Sequence, residues 1–198
     1  MTAEVQIVAV LGSVTPPGRL QSAIEGMLKR GGQRSGVATR LLNLADLRVA
    51  DADGRPPEQL EDDTAGIIEQ VSAADAVIFA TPVYRGSLTG VLKNLLDQLP
   101  VASLQGKAVG IVSMGAGPQH YLGAERHLRD VLAFFGAVLA PVACYLVSAD
   151  FDDGVLSAAA GAQLDDLLAG LVALAVALRG ASTPLGPAVL AQSARPRS

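Results

Sequence analysis

Apolar positions along this chain alternate between two periods. Val5 to Leu11 is a short continuous apolar run closed by Gly12-Ser13, the pattern of a buried strand entering a turn. From Leu20 to Arg30 the period lengthens, with Leu20, Ala23, Ile24, Met27 and Leu28 at helical spacing and Gly31-Gly32 as a stop. Val37 to Leu44 alternates as a second strand, and Asp51 to Asp63 is a polar, acid-rich excursion containing Pro56-Pro57. Ala65 to Ala74 predicts a helix and Asp75 to Ala80 a third strand, followed by a helix with Leu88, Val91, Leu92, Leu95 and Leu96 on one face. Lys107 to Ser113 predicts a fourth strand, His120 to Phe135 a helix ended by Gly136, Val138 to Val147 a fifth strand and Ser157 to Leu178 a last helix.

Strands that alternate with helices across short connections predict an α/β domain, here residues 1–181, followed by a Pro/Ala-rich tail, 182–198. With five strands the expected architecture is a flavodoxin-like, doubly wound parallel sheet in the order 2-1-3-4-5, with helices on both faces. Ligands of such sheets bind beyond the C-terminal ends of the first and third strands, which here are the Gly12 and Thr81 loops.

Composition narrows the field. Half of the 198 residues are hydrophobic and the net charge is −4, without a Lys/Arg run that could track a nucleic acid backbone. The single cysteine, Cys144, lies in an apolar run; it excludes an internal disulfide and suits a reducing cytoplasm. Met1-Thr2-Ala3-Glu4 lacks the positive segment of a signal peptide. Leu167 to Leu178 is strongly apolar but shorter than the roughly 20 residues of a spanning helix, and Asp165, Asp166 and Arg179 bound it. It is expected to be buried, in part against a second subunit.

Three loops could carry chemistry. Thr81-Pro82-Val83-Tyr84-Arg85-Gly86-Ser87 combines flat apolar groups, backbone N–H groups around Gly86 and one cation, which suits a planar ring with polar edges such as a flavin. Gly12-Ser13-Val14-Thr15-Pro16-Pro17-Gly18-Arg19-Leu20-Gln21-Ser22 leads into a helix N-terminus able to hold a phosphate. It contains neither G-x-x-x-x-G-K-[ST] nor G-x-G-x-x-G. Ser113-Met114-Gly115-Ala116-Gly117-Pro118-Gln119-His120 offers small residues that a ring edge can approach. His120 and Asp97 read as loop and surface groups rather than proton donors. No Ser/His/Asp ordering, metal-ligand cluster or paired carboxylate stands out, as expected where a cofactor carries the reaction.

The run Ala80 to Pro100, A-T-P-V-Y-R-G-S-L-T-G-V-L-K-N-L-L-D-Q-L-P, with Gly115 to Pro141 and Asp150-Phe151-Asp152-Asp153-Gly154, resembles the NAD(P)H-dependent FMN reductases, in particular those serving two-component alkanesulfonate-type monooxygenases. The resemblance implies FMN held by three loops. Ser13, Arg19, Leu20 and Gln21 would take the phosphate, and Pro82, Val83, Tyr84, Arg85, Gly86 and Ser87 the ribityl chain and ring. Ser113, Gly115 and Ala116 would meet the isoalloxazine edge. The chain departs from the pattern at Leu20-Gln21, where relatives carry Ser/Thr, and at Gly115-Ala116-Gly117, where several carry Gly-Gly-Ser. At Glu125-Arg126-His127 some carry an inserted Tyr.

The resemblance thus implies a cytoplasmic flavin reductase, homodimeric or homotetrameric, that moves hydride from NADPH (or NADH) to flavin N5 and supplies reduced flavin to a partner monooxygenase. Two rivals share the fold: a quinone or azo-type reductase with tightly bound FMN, and a flavodoxin-like electron carrier without nicotinamide activity.

Overall fold

In a computed structural model, residues 4–14, 18–181, 185–187 and 189 are described; Thr15-Pro16-Pro17 and most of the tail lie outside them. The first strand, β1 (Val5–Leu11), exposes only Gln6. Such burial on both faces is what a parallel sheet covered by helices requires. It pairs in parallel with β2 (Val37–Asn43) on one side and β3 (Ala76–Pro82) on the other. The order continues through β4 (Ala108–Gly115) to β5 (Val138–Leu139), giving β2-β1-β3-β4-β5. The doubly wound order expected from the sequence is therefore the observed one.

Helices cover both faces. On one, α1 (Arg19–Gly32) and α5 (Ala158–Arg179) pack Ile24, Met27, Leu164, Leu168 and Leu171 against Ile7 and Ile78. On the other, α2 (Thr64–Ala73), α3 (Gly90–Gln98) and α4 (Gly123–Phe134) bring Ile67, Leu92, Leu95 and Leu128 onto Val10, Phe79 and Ile111. Each such side chain contributes roughly 1.5–3 kcal/mol on burial, and together with the rest of the core they oppose the entropy of ordering the chain. By length and composition α5 could cross a membrane, yet Leu164, Leu167, Leu168, Leu171 and Ala175 bury themselves against the domain.

Three expectations need correction. The fifth strand is broken: β5 and β6 (Cys144–Val147) both pair with β4, and residues 140–143 bulge out between them. Pro141 has no N–H to give a ladder, so the break falls beside it. Gly31-Gly32 does not stop α1, which runs through Gly32; a Cβ on Gly31 would lie 2.7 Å from Leu168 Cδ1, so this glycine exists for close helix packing. The helix expected from His120 begins at Gly123, after a single tight turn at Pro118–His120 and a left-handed Leu122 with φ 66°. After β6 and the turn Ser148–Asp150, a small antiparallel hairpin of β7 (Phe151–Asp152) and β8 (Val155–Leu156), not predicted from the sequence, is turned by left-handed Asp153 and Gly154. Of the tail, Leu185, Gly186, Pro187 and Val189 lie beside Gly136, and Val189 Cγ1 fills the space that a Cβ there would need.

The register decides where the site is. Leu11 lies beside Ala80, and Thr81 beside Ser113, so the loops after β1, β3 and β4 leave the sheet along one edge.

Candidate active site

Buried hydrogen bonds stitch the three loops together. Thr89, the N-cap of α3, donates its hydroxyl to the Gly12 carbonyl at 2.6 Å and its backbone N–H to Thr81 Oγ1 at 3.1 Å. The Gly12 N–H donates to the Ala80 carbonyl and the Val83 N–H to the Met114 carbonyl, both at 2.8 Å. Gly12 leaves no room for a side chain, since a Cβ would lie 2.6 Å from Leu92 Cβ. The loop after β1 can therefore sit directly on the start of α3.

At this edge a cleft of about 180 Å³ is lined by Ser13, Gly18, Arg19, Leu20, Gln21, Pro82, Tyr84 and Met114. Its floor is the N-terminus of α1. Gly18 caps that helix without a side chain, and no acidic residue stands in the first turn. The first intrahelical bond runs from the Ser22 N–H to the Gly18 carbonyl, so the earlier N–H groups form the positive end of the helix dipole, facing the cleft. Leu20 is 7 % exposed and packs in the core, so only its backbone is available to a ligand. The Gln21 amide donates to Glu25 at 2.8 Å and accepts from Asn43 at 3.3 Å, which leaves one N–H for a ligand. Arg19 reaches across to Ser148 at 3.1 Å and over the Phe151 ring.

Arg85 and Gly86 are both left-handed, with φ 54° and 76°, and form a two-residue turn in which Tyr84 and Ser87 exchange backbone hydrogen bonds at 2.9 and 3.0 Å. This is the hairpin turn that Gly at the second central position favours. It docks on α4. The Gly86 carbonyl comes within 2.9 Å of where a Cβ on Gly123 would lie, and Ser87 Oγ shares a 2.7 Å hydrogen bond with His127 Nδ1. Tyr84 and Tyr121 stand 43 % and 55 % exposed at the rim.

The loop after β4 rests on Tyr145, whose hydroxyl donates to the Gly117 carbonyl at 2.6 Å and whose ring meets Tyr121 edge-on. Burial pushes the phenol's pKa up, so it stays a donor. A Cβ on Gly115 would lie 2.2 Å from that hydroxyl. Ser113 is buried and Ala116 exposed. Thus Ser13, Arg19, Leu20, Gln21, Pro82 and Tyr84 share the cleft, while Val83, Arg85, Gly86, Ser87, Ser113, Gly115 and Ala116 lie on the flanking turn and loop. Thr89, Met114 and His127 lie inside segments the sequence singles out, but no site role could be read for them or for Tyr145, because their partners are distant in sequence.

The family model for NADPH-dependent FMN reductases matches residues 5–152. The chain belongs to that family. Members are oxidoreductases that pair FMN with a nicotinamide. An NAD(P)H-dependent FAD/FMN reductase of Geobacillus thermodenitrificans strain NG80-2 is 39 % identical over 59 % of this chain and 63 % of its own length. A quinone reductase of Escherichia coli K12 is 31 % identical over 70 % of this chain and 75 % of its own. Among solved structures, the apo form of an NADH:FMN oxidoreductase superposes with a TM-score of 0.73 at 27 % identity, covering 91 % of this chain and 92 % of that one.

The residues fit the family's flavin. The uncapped helix and Arg19 suit a phosphate dianion. The cleft, about 180 Å³, is below the roughly 300 Å³ of a typical ligand pocket, a size that suits the phosphate end of FMN rather than the whole molecule. A larger apolar groove, about 660 Å³, runs between residues 140–144 and α5. It shares no residue with the cleft, and its lining is poor in the donors that a flavin's polar edge needs.

Other groups singled out in the sequence do not line the cleft. Asp97 pairs with Lys93 at 2.6 Å on the surface. Cys144 donates its thiol to the Gln163 carbonyl at 3.4 Å; burial, with Asp166 nearby, pushes its pKa up to about 11. His120 stands exposed on the Pro118–His120 turn.

Proposed function

We propose that this protein reduces FMN with NADPH or NADH and releases reduced flavin to a partner monooxygenase. FMN supplies the two-electron chemistry; this chain's residues bind and orient it. The α1 N–H groups, Arg19, Ser13 and the remaining Gln21 N–H hold the phosphate end. Pro82, Val83, Tyr84 and Ser87 line the chain and ring, and the N–H groups of Arg85 and Gly86 and of the Gly115-Ala116 loop, with Ser113 behind them, face its polar edge. Arg85 and these donors favour negative charge on the ring, and the open rim lets a nicotinamide stack beside it. One observation carries the reading: Thr89 ties the loop after β1, which leads to the N-terminus of α1, to the loop after β3 at one edge of the sheet. The cytoplasm as its place, and a homodimer or homotetramer as its state, belong to the same proposal; exposed Phe134, Val142 and Val176 support self-association.

The quinone reductase among its relatives favours one alternative, a tightly held FMN that passes electrons to a second acceptor. Anaerobic mixing with NADPH at varied FMN separates the two. Saturable bleaching over many turnovers is expected for a reductase that treats FMN as substrate, and bleaching limited to one equivalent would favour the alternative. Absence of bleaching with both NADPH and NADH would overturn the reductase reading and leave an electron carrier.

A further inference from the structure

The Asp150-Phe151-Asp152-Asp153-Gly154 motif lies outside the three loops, yet the structure places part of it against the cleft. The β7–β8 hairpin follows closely on β6. Hydrogen bonds fix its geometry: Asp150 accepts the Val147 N–H at 2.7 Å, the Asp150 carbonyl accepts the Ser157 N–H at 2.8 Å, and left-handed Asp153 and Gly154 make the turn. Phe151 is half-buried and packs against the core on the α1 and α5 face of the sheet. Above it lies the Arg19 guanidinium, 5.5 Å from the ring centroid, with one terminal nitrogen donating to Ser148 Oγ at 3.1 Å.

A long arginine at the first position of a helix has many rotamers, and ordering it on a ligand costs side-chain entropy. Here an aromatic ring takes one side of the guanidinium and a hydroxyl takes one of its five N–H groups. The other N–H groups remain along its edge, beside the uncapped N-terminus of α1.

We propose that Phe151 and Ser148 are positioning residues that hold Arg19 ready for the terminal phosphate monoester of the flavin, and that this strut makes the protein select FMN over uncharged riboflavin. The inference rests on the phosphate reading of the α1 loop. It assigns the hairpin a role in specificity that its distance along the chain conceals. Riboflavin, with no phosphate, does not use the strut, so loss of the strut weakens FMN and leaves riboflavin unchanged.

The test is fluorescence titration of purified protein, stripped of flavin, with FMN and with riboflavin, for wild type, Arg19→Ala, Ser148→Ala, Phe151→Leu and Phe151→Tyr. Phe151→Leu keeps apolar packing and removes the ring face, whereas Phe151→Tyr keeps both and serves as the rescue. Thermal melts check that each variant is folded. The expected result is an FMN preference in wild type that Arg19→Ala abolishes. Ser148→Ala and Phe151→Leu should lower it several-fold each, on the order of tenfold together, with riboflavin affinity constant and Phe151→Tyr near wild type. If Arg19→Ala abolishes the preference but Ser148→Ala and Phe151→Leu retain it, the strut is wrong and the phosphate reading stands. Equal weakening of both flavins would make the hairpin merely structural and also overturn the proposal. A wild type without FMN preference, or one insensitive to Arg19→Ala, would remove the phosphate reading itself.

Discussion

Thr89 donates its hydroxyl to the Gly12 carbonyl at 2.6 Å, joining the start of α3 to the loop after β1 across 77 residues of sequence. The same oxygen accepts the Leu92 N–H at 3.4 Å as the helix N-cap. Thr89→Val keeps the shape and deletes both functions. It should destabilise the fold by about 1–3 kcal/mol, through the lost cap and an orphaned buried carbonyl. FMN affinity should fall as well. Thr89→Ser should restore most of both, as urea unfolding and flavin titration can check.

Gly115 and Tyr145 form a second pair of this kind. Gly115→Ala puts a methyl group 2.2 Å from the Tyr145 hydroxyl, so the ring or the loop must shift. The variant should lose flavin affinity more than stability, because the loop after β4 is exposed beyond Gly115. Tyr145→Phe removes only the bond to the Gly117 carbonyl and should cost about 1 kcal/mol. Gly115→Ala in the Tyr145→Phe background should then cost less than in wild type, a coupling that a double-mutant cycle would register.

The shared bond between Ser87 and His127 fastens the Tyr84–Ser87 turn to α4. His127→Ala should raise the KM for FMN several-fold with a smaller change in kcat, since the residue positions the turn and does not touch the reacting atoms. His127→Asn, which can still hydrogen-bond the hydroxyl, should recover part of the loss in steady-state assays.

At the opposite end of the sheet, partial burial opposes ionisation of Asp75. The Arg179 guanidinium, the Gln6 N–H and the charges of Arg179 and Lys107 outweigh it, and they hold the carboxyl below its usual range. A carboxyl with a depressed folded pKa contributes fully above its unfolded value of about 3.9 and loses that contribution as pH falls through the folded value. Wild type should therefore exceed Asp75→Asn by about 1 kcal/mol at pH 7, the pair being partly exposed to solvent. The gap should narrow below about pH 4, as denaturation at pH 7 and pH 3 would measure.

Cys144 should be inert. With its pKa pushed up to about 11 and its side chain buried, almost none is thiolate at neutral pH. A thiol reagent should label the native protein far more slowly than the urea-unfolded chain and leave flavin binding unchanged.

The fold was legible because its signals are local. Val5–Leu11 and Ala76–Pro82 are apolar runs bounded by turn residues, and α1 and α3 show one apolar face each. A switch-point crevice follows from that order of elements. The break between β5 and β6 was less visible, because one proline inside an apolar run removes a single donor without changing the pattern. The supports of the site were not legible at all. Phe151 and Ser148 lie 129 and more residues from Arg19 along the chain, and His127 lies 40 from Ser87, so only the folded chain brings them together. Gly31 misled for a related reason: its neighbour Leu168 comes from α5.

The most direct test of the central claim is a crystal structure of the protein soaked with FMN. The predicted result is a phosphate at the N-terminus of α1, within hydrogen-bond reach of Arg19 and Ser13, with the ring over Tyr84 and along the Arg85-Gly86-Ser87 and Gly115 backbone. FMN seated in the apolar groove beside Cys144 and α5, or at the sheet edge with its phosphate away from α1, would contradict it.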